Sequence, residues 1–175
     1  MVILSGIKSS KRFAFSIKRP PPTGGKGLIH MINQPSAREK KEDEIYKDNE
    51  KYLEGFEKWL KDKGLSQKTI IKHVSNVAFY IDDYLCYYDL IEAPLGCRKL
   101  NGFLGDWFIR KAAWSSCAHI KSYAASIKKF YAFMREGNLV EQEEYDDLCE
   151  MIKEFMPEWL DEMKRYDDMV FNDYY

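Results

Sequence analysis

Between Ser116 and Gly137 the apolar residues Ile120, Ala124, Ile127, Tyr131 and Met134 recur in steps of four, three, four and three. That is the period of an α-helix with one buried face. A strand cannot present it, because alternate residues of a strand point to opposite sides. At about 100° per residue, Tyr123 and Phe130 widen the same arc. Ser115 or Ser116 offers an N-cap, and Gly137-Asn138 an exit.

The rest of the chain follows the same period. Residues 39–63 place Ile45, Tyr52, Leu53, Phe56, Trp59 and Leu60 on one helical face, and Lys63-Gly64 ends that helix. Ser66 is an N-cap candidate with Thr69 at N3. The second helix is predicted to run to about Tyr88, burying Ile70, Val74, Val77, Ile81, Leu85 and Tyr88. Ala93-Pro94-Leu95-Gly96 reads as a turn. Leu100, Phe103, Leu104, Trp107 and Phe108 form a short third helix, which Gly102 and Gly105 weaken. From Glu141 to Tyr166 the stripe continues through Tyr145, Leu148, Ile152, Phe155, Met156, Trp159, Leu160 and Met163. Pro157 must kink or split that segment. With aromatics at 15% against 10 Gly and 6 Pro, the composition favours long helices over a many-turned sandwich. The expectation is an all-α chain with no sheet over 45–140.

The net charge of −1 hides three blocks. Residues 1–38 carry seven Lys/Arg and no acid, residues 39–140 carry 17 basic and 15 acidic groups, and residues 141–175 are −10 overall. The whole-chain balance therefore misleads about partners. The head, with Pro20-Pro21-Pro22-Thr23-Gly24-Gly25, cannot nucleate regular structure and is expected to be a poorly ordered arm. Gly25-Lys26 is no phosphate-binding P-loop, since Gly27 stands where Ser or Thr is needed. The four cysteines form no C-x-x-C pair and read as free thiols in a reducing cytoplasm. No apolar run is long enough for a membrane span, and Val2-Ile3-Leu4 is too short for a signal peptide. The acidic clusters Glu143-Glu144 and Asp146-Asp147 lack the alternating loop that calcium needs, so no metal site or cofactor is expected.

Lys121, Lys128 and Arg135, each seven apart, form a basic ridge on the fourth helix beside the small residues Ala118, Ala125 and Ala132. Such a ridge can approach a phosphate backbone closely. It also reads as an ordinary solvated flank.

The stretch from Leu53 to Val140 resembles the N-terminal core-binding domain of the tyrosine recombinases, the phage-integrase family with a SAM-like helical fold. Phe56-x-x-Trp59-Leu60 followed by Gly64-Leu65-Ser66-x-Lys68-Thr69-Ile70 is similar to the family's first helix junction. The tyrosine-rich second helix (Tyr80-Ile81, Tyr84-Leu85) and the run Ile127-Lys128-Lys129-Phe130-Tyr131-Ala132-Phe133-Met134 before Gly137-Asn138-Leu139-Val140 complete the likeness. It implies a four-helix SAM-like core-binding domain over 39–140. An extra acidic helical segment over 141–168 and a tail over 169–175 would follow.

In that family the second and fourth helices lie against duplex DNA. The implied contacts are Gln67, Lys68, Lys72 and His73 on the second helix, and Lys121, Lys128, Lys129 and Arg135 on the fourth. His73 borders the apolar arc and reads equally as a core-edge residue. Arg98, Lys99, Arg110 and Lys111 bracket the third helix. The family's catalytic residues are not in this sequence: none of the three histidines begins a His-x-x-Arg pair, and no catalytic residue is assigned. Two readings follow. One is a non-catalytic, integrase-like DNA-binding module without a small-molecule substrate, partnered by a second copy or a full-length recombinase. The other is a helical protein-interaction module of mobile-element origin that no longer binds DNA. The 145–163 stripe must bury against the chain's own core or against a second copy, and its carboxylates would compete with phosphates for the ridge.

Overall fold

The computed structural model describes residues 36–173, with side chains to residue 170. Helix α1, Ala37–Asp62, starts at a reciprocal cap: the Ser36 hydroxyl accepts from the Glu39 amide while the Glu39 carboxylate accepts from the Ser36 amide. Ser36, Ala37 and Arg38 thus belong to the helix and its cap, so the expected boundary at 38 moves forward. The remainder of the expected basic arm lies outside the described residues. At its other end Gly64 takes φ +77°, Gly64 N–H donates to Lys61 O and Leu65 N–H to Leu60 O. This left-handed closure suits a glycine and reverses the chain into the next helix.

Helix α2, Gln67–Ala78, is capped by the Ser66 hydroxyl on the Thr69 amide, as its spacing foretold. It does not continue to Tyr88 as an α-helix. It widens into a π-helical turn over Phe79–Tyr84, and residues 85–89 are turn and bend. The widened turn rotates the face: Phe79, Tyr80, Ile81, Leu85 and Cys86 are buried, while Val74 is half-buried and Tyr88 is 62% exposed. A constant 3.6 period cannot register an extra residue in one turn, which is why Tyr88 was misplaced.

Ala93–Lys99 is a 3₁₀ turn with Pro94 near its start. Three tyrosine hydroxyls hold it: Tyr131 donates to Ala93 O at 2.7 Å, Tyr80 to Gly96 O at 2.7 Å and Tyr84 to Lys99 O at 3.1 Å. Burial drives the phenols of Tyr80 and Tyr131 well above their ordinary pKa, so both remain donors. Gly96 is needed there, because a Cβ would collide with the Tyr131 hydroxyl and Leu85. The third helix, α3, is composite: Leu100–Gly102, a second π turn Phe103–Trp107, and Phe108–Lys111. Phe103, Leu104, Trp107 and Phe108 are buried as the pattern required. Phe79 and Tyr123 close an aromatic cluster over Phe103 and Phe108.

Helix α4, Cys117–Glu136, is capped by Ser116 and leaves through Asn138 at φ 55°, again with Leu139 N–H returning to Met134 O. It is the central element, packed against α2 on one flank and α5 on the other. Ile120, Tyr123, Ala124, Ile127, Phe130, Tyr131 and Met134 are all buried.

Helix α5, Gln142–Asp173, is unbroken, with Pro157 inside it. The proline withdraws one amide but does not split the segment, and the helix passes the expected end at 168. Leu148, Trp159 and Met163 are buried against the chain's own core, and Trp159 Nε1 donates to Asn101 Oδ1 at 2.7 Å. Packing on the chain's own core is therefore realised for the centre of the stripe. Among the described residues there is no strand, and the fold is all-α.

Candidate nucleic-acid interface

The α2–α4 seam carries a closed polar network. His73 is only 4% exposed, and its Nδ1 lies 2.8 Å from Ser126 Oγ. The single Ser126 hydroxyl proton goes to Ser122 O at 2.8 Å, so Nδ1 must be the donor to Oγ. Asn76 Nδ2 donates to Ser126 Oγ and Ser122 Oγ at 3.0 and 3.1 Å. Burial, then the nearby charges of Lys72 and Lys129, lowers the His73 pKa. His73 thus corrects the expectation drawn from the resemblance: it ties two helices together inside the protein and does not stand on the surface.

Lys72 of α2 and Lys129 of α4 both lie near enough to His73 for their charges to lower its pKa. Gln67, Lys68 and Lys72 are exposed on α2, and Lys121, Lys128 and Lys129 on α4. None of these five lysines is in an ion pair with a carboxylate among the described residues. Ala118 and Ala125 are exposed and Ala132 half-buried on the same outer face of α4.

The ridge itself is divided. Cys117 and Arg135 are about five turns apart and share one edge of α4. That edge faces α5: Cys117 Sγ donates to Leu160 O at 3.7 Å, and the Arg135 guanidinium lies 4.7 Å over the Tyr145 ring. Arg135 also donates to Gln142 Oε1 at 3.4 Å. Lys121 and Lys128 lie close to this edge, whereas Lys129 is turned about 100° further, toward α2.

The arginines are spent internally. Arg98 pairs with Glu144 of α5 at 3.1 Å, and Arg110 with Asp106 at 2.5 Å and Glu162 at 4.0 Å. Residues 98–135 carry eight Lys/Arg against Asp106 alone, and this excess is partly cancelled by α5, its open part being lysine.

A half-buried apolar strip on α5, Ile152, Met156 and Leu160 beside Pro157, lies in a shallow depression flanked by Lys153 and Lys164. Sequence reasoning passed over these two lysines. They are 11 residues apart, three turns of one edge, in a block with only three cations. Among the described residues no group of three or more His, Cys, Asp or Glu is placed to hold a metal ion, and no helix is long and apolar enough to cross a membrane. No protein-family model matches this chain, and no curated protein or solved structure matches it significantly.

Proposed function

We propose that this chain is a non-catalytic module that binds duplex DNA across α2 and α4, as a SAM-like core-binding domain would. The observation that carries the reading is the set of five exposed lysines, Lys68, Lys72, Lys121, Lys128 and Lys129, which have no carboxylate partner among the described residues while the neighbouring arginines are paired. Unpaired lysines beside exposed alanines can track phosphates and release counterions without first breaking internal contacts. A stretch resembling a recombinase binding domain, without a His-x-x-Arg pair in the sequence, fits occupancy of a DNA site rather than strand cleavage. Cytoplasmic action, with a second copy or a full-length recombinase as partner, belongs to this reading.

A second reading has its own observation. The α5 strip of Ile152, Met156 and Leu160 is only half-covered, which suits a protein partner for a module that has lost DNA binding.

Binding of mixed-sequence duplex across a salt series separates them. Lys121→Ala/Lys128→Ala/Lys129→Ala should weaken binding to all sequences alike. Each lost phosphate contact should flatten the slope of log K against log salt by about 0.9. Affinity and slope unchanged in a folded triple variant would remove α4 from the interface.

A further inference from the structure

We propose that the outer edge of the His73 ring, between Lys72 and Lys129, is a subsite for one phosphate group, and that the ring takes a proton from solvent at Nε2 as the phosphate binds. The inference rests on the DNA-binding reading, in which the duplex backbone supplies the phosphate, and adds to it a dependence on pH. The two ring nitrogens stand in different surroundings. Nδ1 is committed: it donates to Ser126 Oγ at 2.8 Å. That oxygen is saturated, since it also accepts from Asn76 Nδ2 at 3.0 Å and gives its own proton to Ser122 O at 2.8 Å. The neutral ring therefore carries its lone pair on Nε2. Nε2 has no hydrogen-bond partner among the described residues and, unlike Asn49 Oδ1 and Trp107 Nε1, is not sealed from water. A ring only 4% exposed thus keeps its one free polar atom open to solvent.

The flanks of that atom are cationic. Lys72 precedes His73 on α2, and Lys129 lies one turn beyond Ser126 on α4. Both are exposed and have no carboxylate partner among the described residues. Of the described charges only these two bear on the ring, and α1, which also packs against α2, contributes none. Burial first, and then the two lysines, hold the ring of the protein alone neutral near pH 7. A phosphate reverses the sign of that field. Its oxygens are acceptors, so contact with the ring edge requires a proton on Nε2. Nε2–H then joins two ammonium groups as a third, charge-assisted donor. The seam is undisturbed, because Nδ1 already donates to Ser126. Linkage gives the direction: phosphate raises the ring's pKa from its lowered value. Affinity is then flat above the bound pKa, rises as pH falls through it, and levels off below the pKa of the protein alone.

The full chain is titrated with mixed-sequence duplex between pH 7.5 and 5.5 at fixed ionic strength, and the His73 ring is followed by NMR with and without the duplex. Affinity should rise about 3–10-fold on acidification, and no more than about tenfold per pH unit, since one proton is taken up. His73→Asn should abolish the rise, while His119→Gln should keep it. The NMR titration of the wild-type ring needs no variant, and the duplex should raise its pKa. A second arm replaces the duplex with sulfate, a tetrahedral dianion of constant charge in this range, against chloride at equal ionic strength. A ring that answers the duplex and not sulfate assigns the phosphate to the backbone. A ring that answers sulfate in a chain that binds no duplex at any pH removes the DNA reading and leaves a subsite for a free phosphate. Affinity no more pH-dependent in the wild type than in His73→Asn overturns the subsite, as does a ring whose titration neither duplex nor sulfate moves.

Discussion

The two flanks of α4 are built from opposite materials. Toward α2, the seam is polar: His73, Asn76, Ser122 and Ser126 exchange hydrogen bonds, and Lys72 and Lys129 stand beside it. Toward α5, apolar cover dominates, with Leu148, Trp159 and Met163 buried, and the polar contacts lie at the edge, Cys117 Sγ on Leu160 O and the Arg135 guanidinium on Gln142 and the Tyr145 ring. An apolar seam gains from area alone and tolerates sliding, whereas a hydrogen-bonded seam holds only in one register. The α2–α4 pair is thus the flank whose relative placement is fixed, which is what the proposed DNA-binding face would require. The α5 flank supplies stability.

That contrast is broken most directly at Trp159. Trp159→Ala should destabilise the chain by about 3–5 kcal/mol in urea unfolding, the range for emptying a large buried aromatic site. Asn101 Oδ1 also loses its donor. A loss below ~1 kcal/mol would show that α5 is not a structural cover.

The polar flank is tested by pH, with a smaller effect. The folded state holds the His73 pKa below its ordinary 6.5, so on acidification the unfolded chain takes the proton first. Stability from this residue is complete above about pH 6.5. It falls as pH drops through that value and levels off below the lowered folded pKa. His73→Asn keeps a donor toward Ser126 and should flatten this part of the stability curve. A wild-type curve no steeper there than the variant's would mean that the ring is freely solvated.

Most of the architecture was legible, because buried faces repeat on the helical period. Ser66, Gly64, Ser116 and Asn138 mark ends through local chemistry that needs no tertiary information. The two π turns were not legible, since an extra residue in one turn is indistinguishable from noise in the period. Tyr88 went to the wrong side for that reason. For the candidate interface, exposure of the lysines followed from spacing. The burial of His73 matched its core-edge reading and not the DNA contact that the resemblance implied, while its bond to Ser126, 53 residues away in the chain, was beyond the reach of spacing. So was the capture of Arg98, Arg110 and Arg135 by α5, since charge counted along a sequence is blind to which opposite charge folds back onto it.

The arginine contacts give the last and smallest test. If they are merely surface pairs, Glu144→Gln should shift stability by no more than about 1 kcal/mol, because the Arg98 side chain is 71% exposed and water screens the pair. The variant should also leave the salt slope of DNA binding unchanged, since Arg98 belongs to the edge facing α5 and not to the α2–α4 face. A slope steeper by about 0.9 would mean that the released guanidinium has found a phosphate. The interface would then extend around α4 onto the third helix, and the division between its two flanks would no longer describe how the molecule meets DNA.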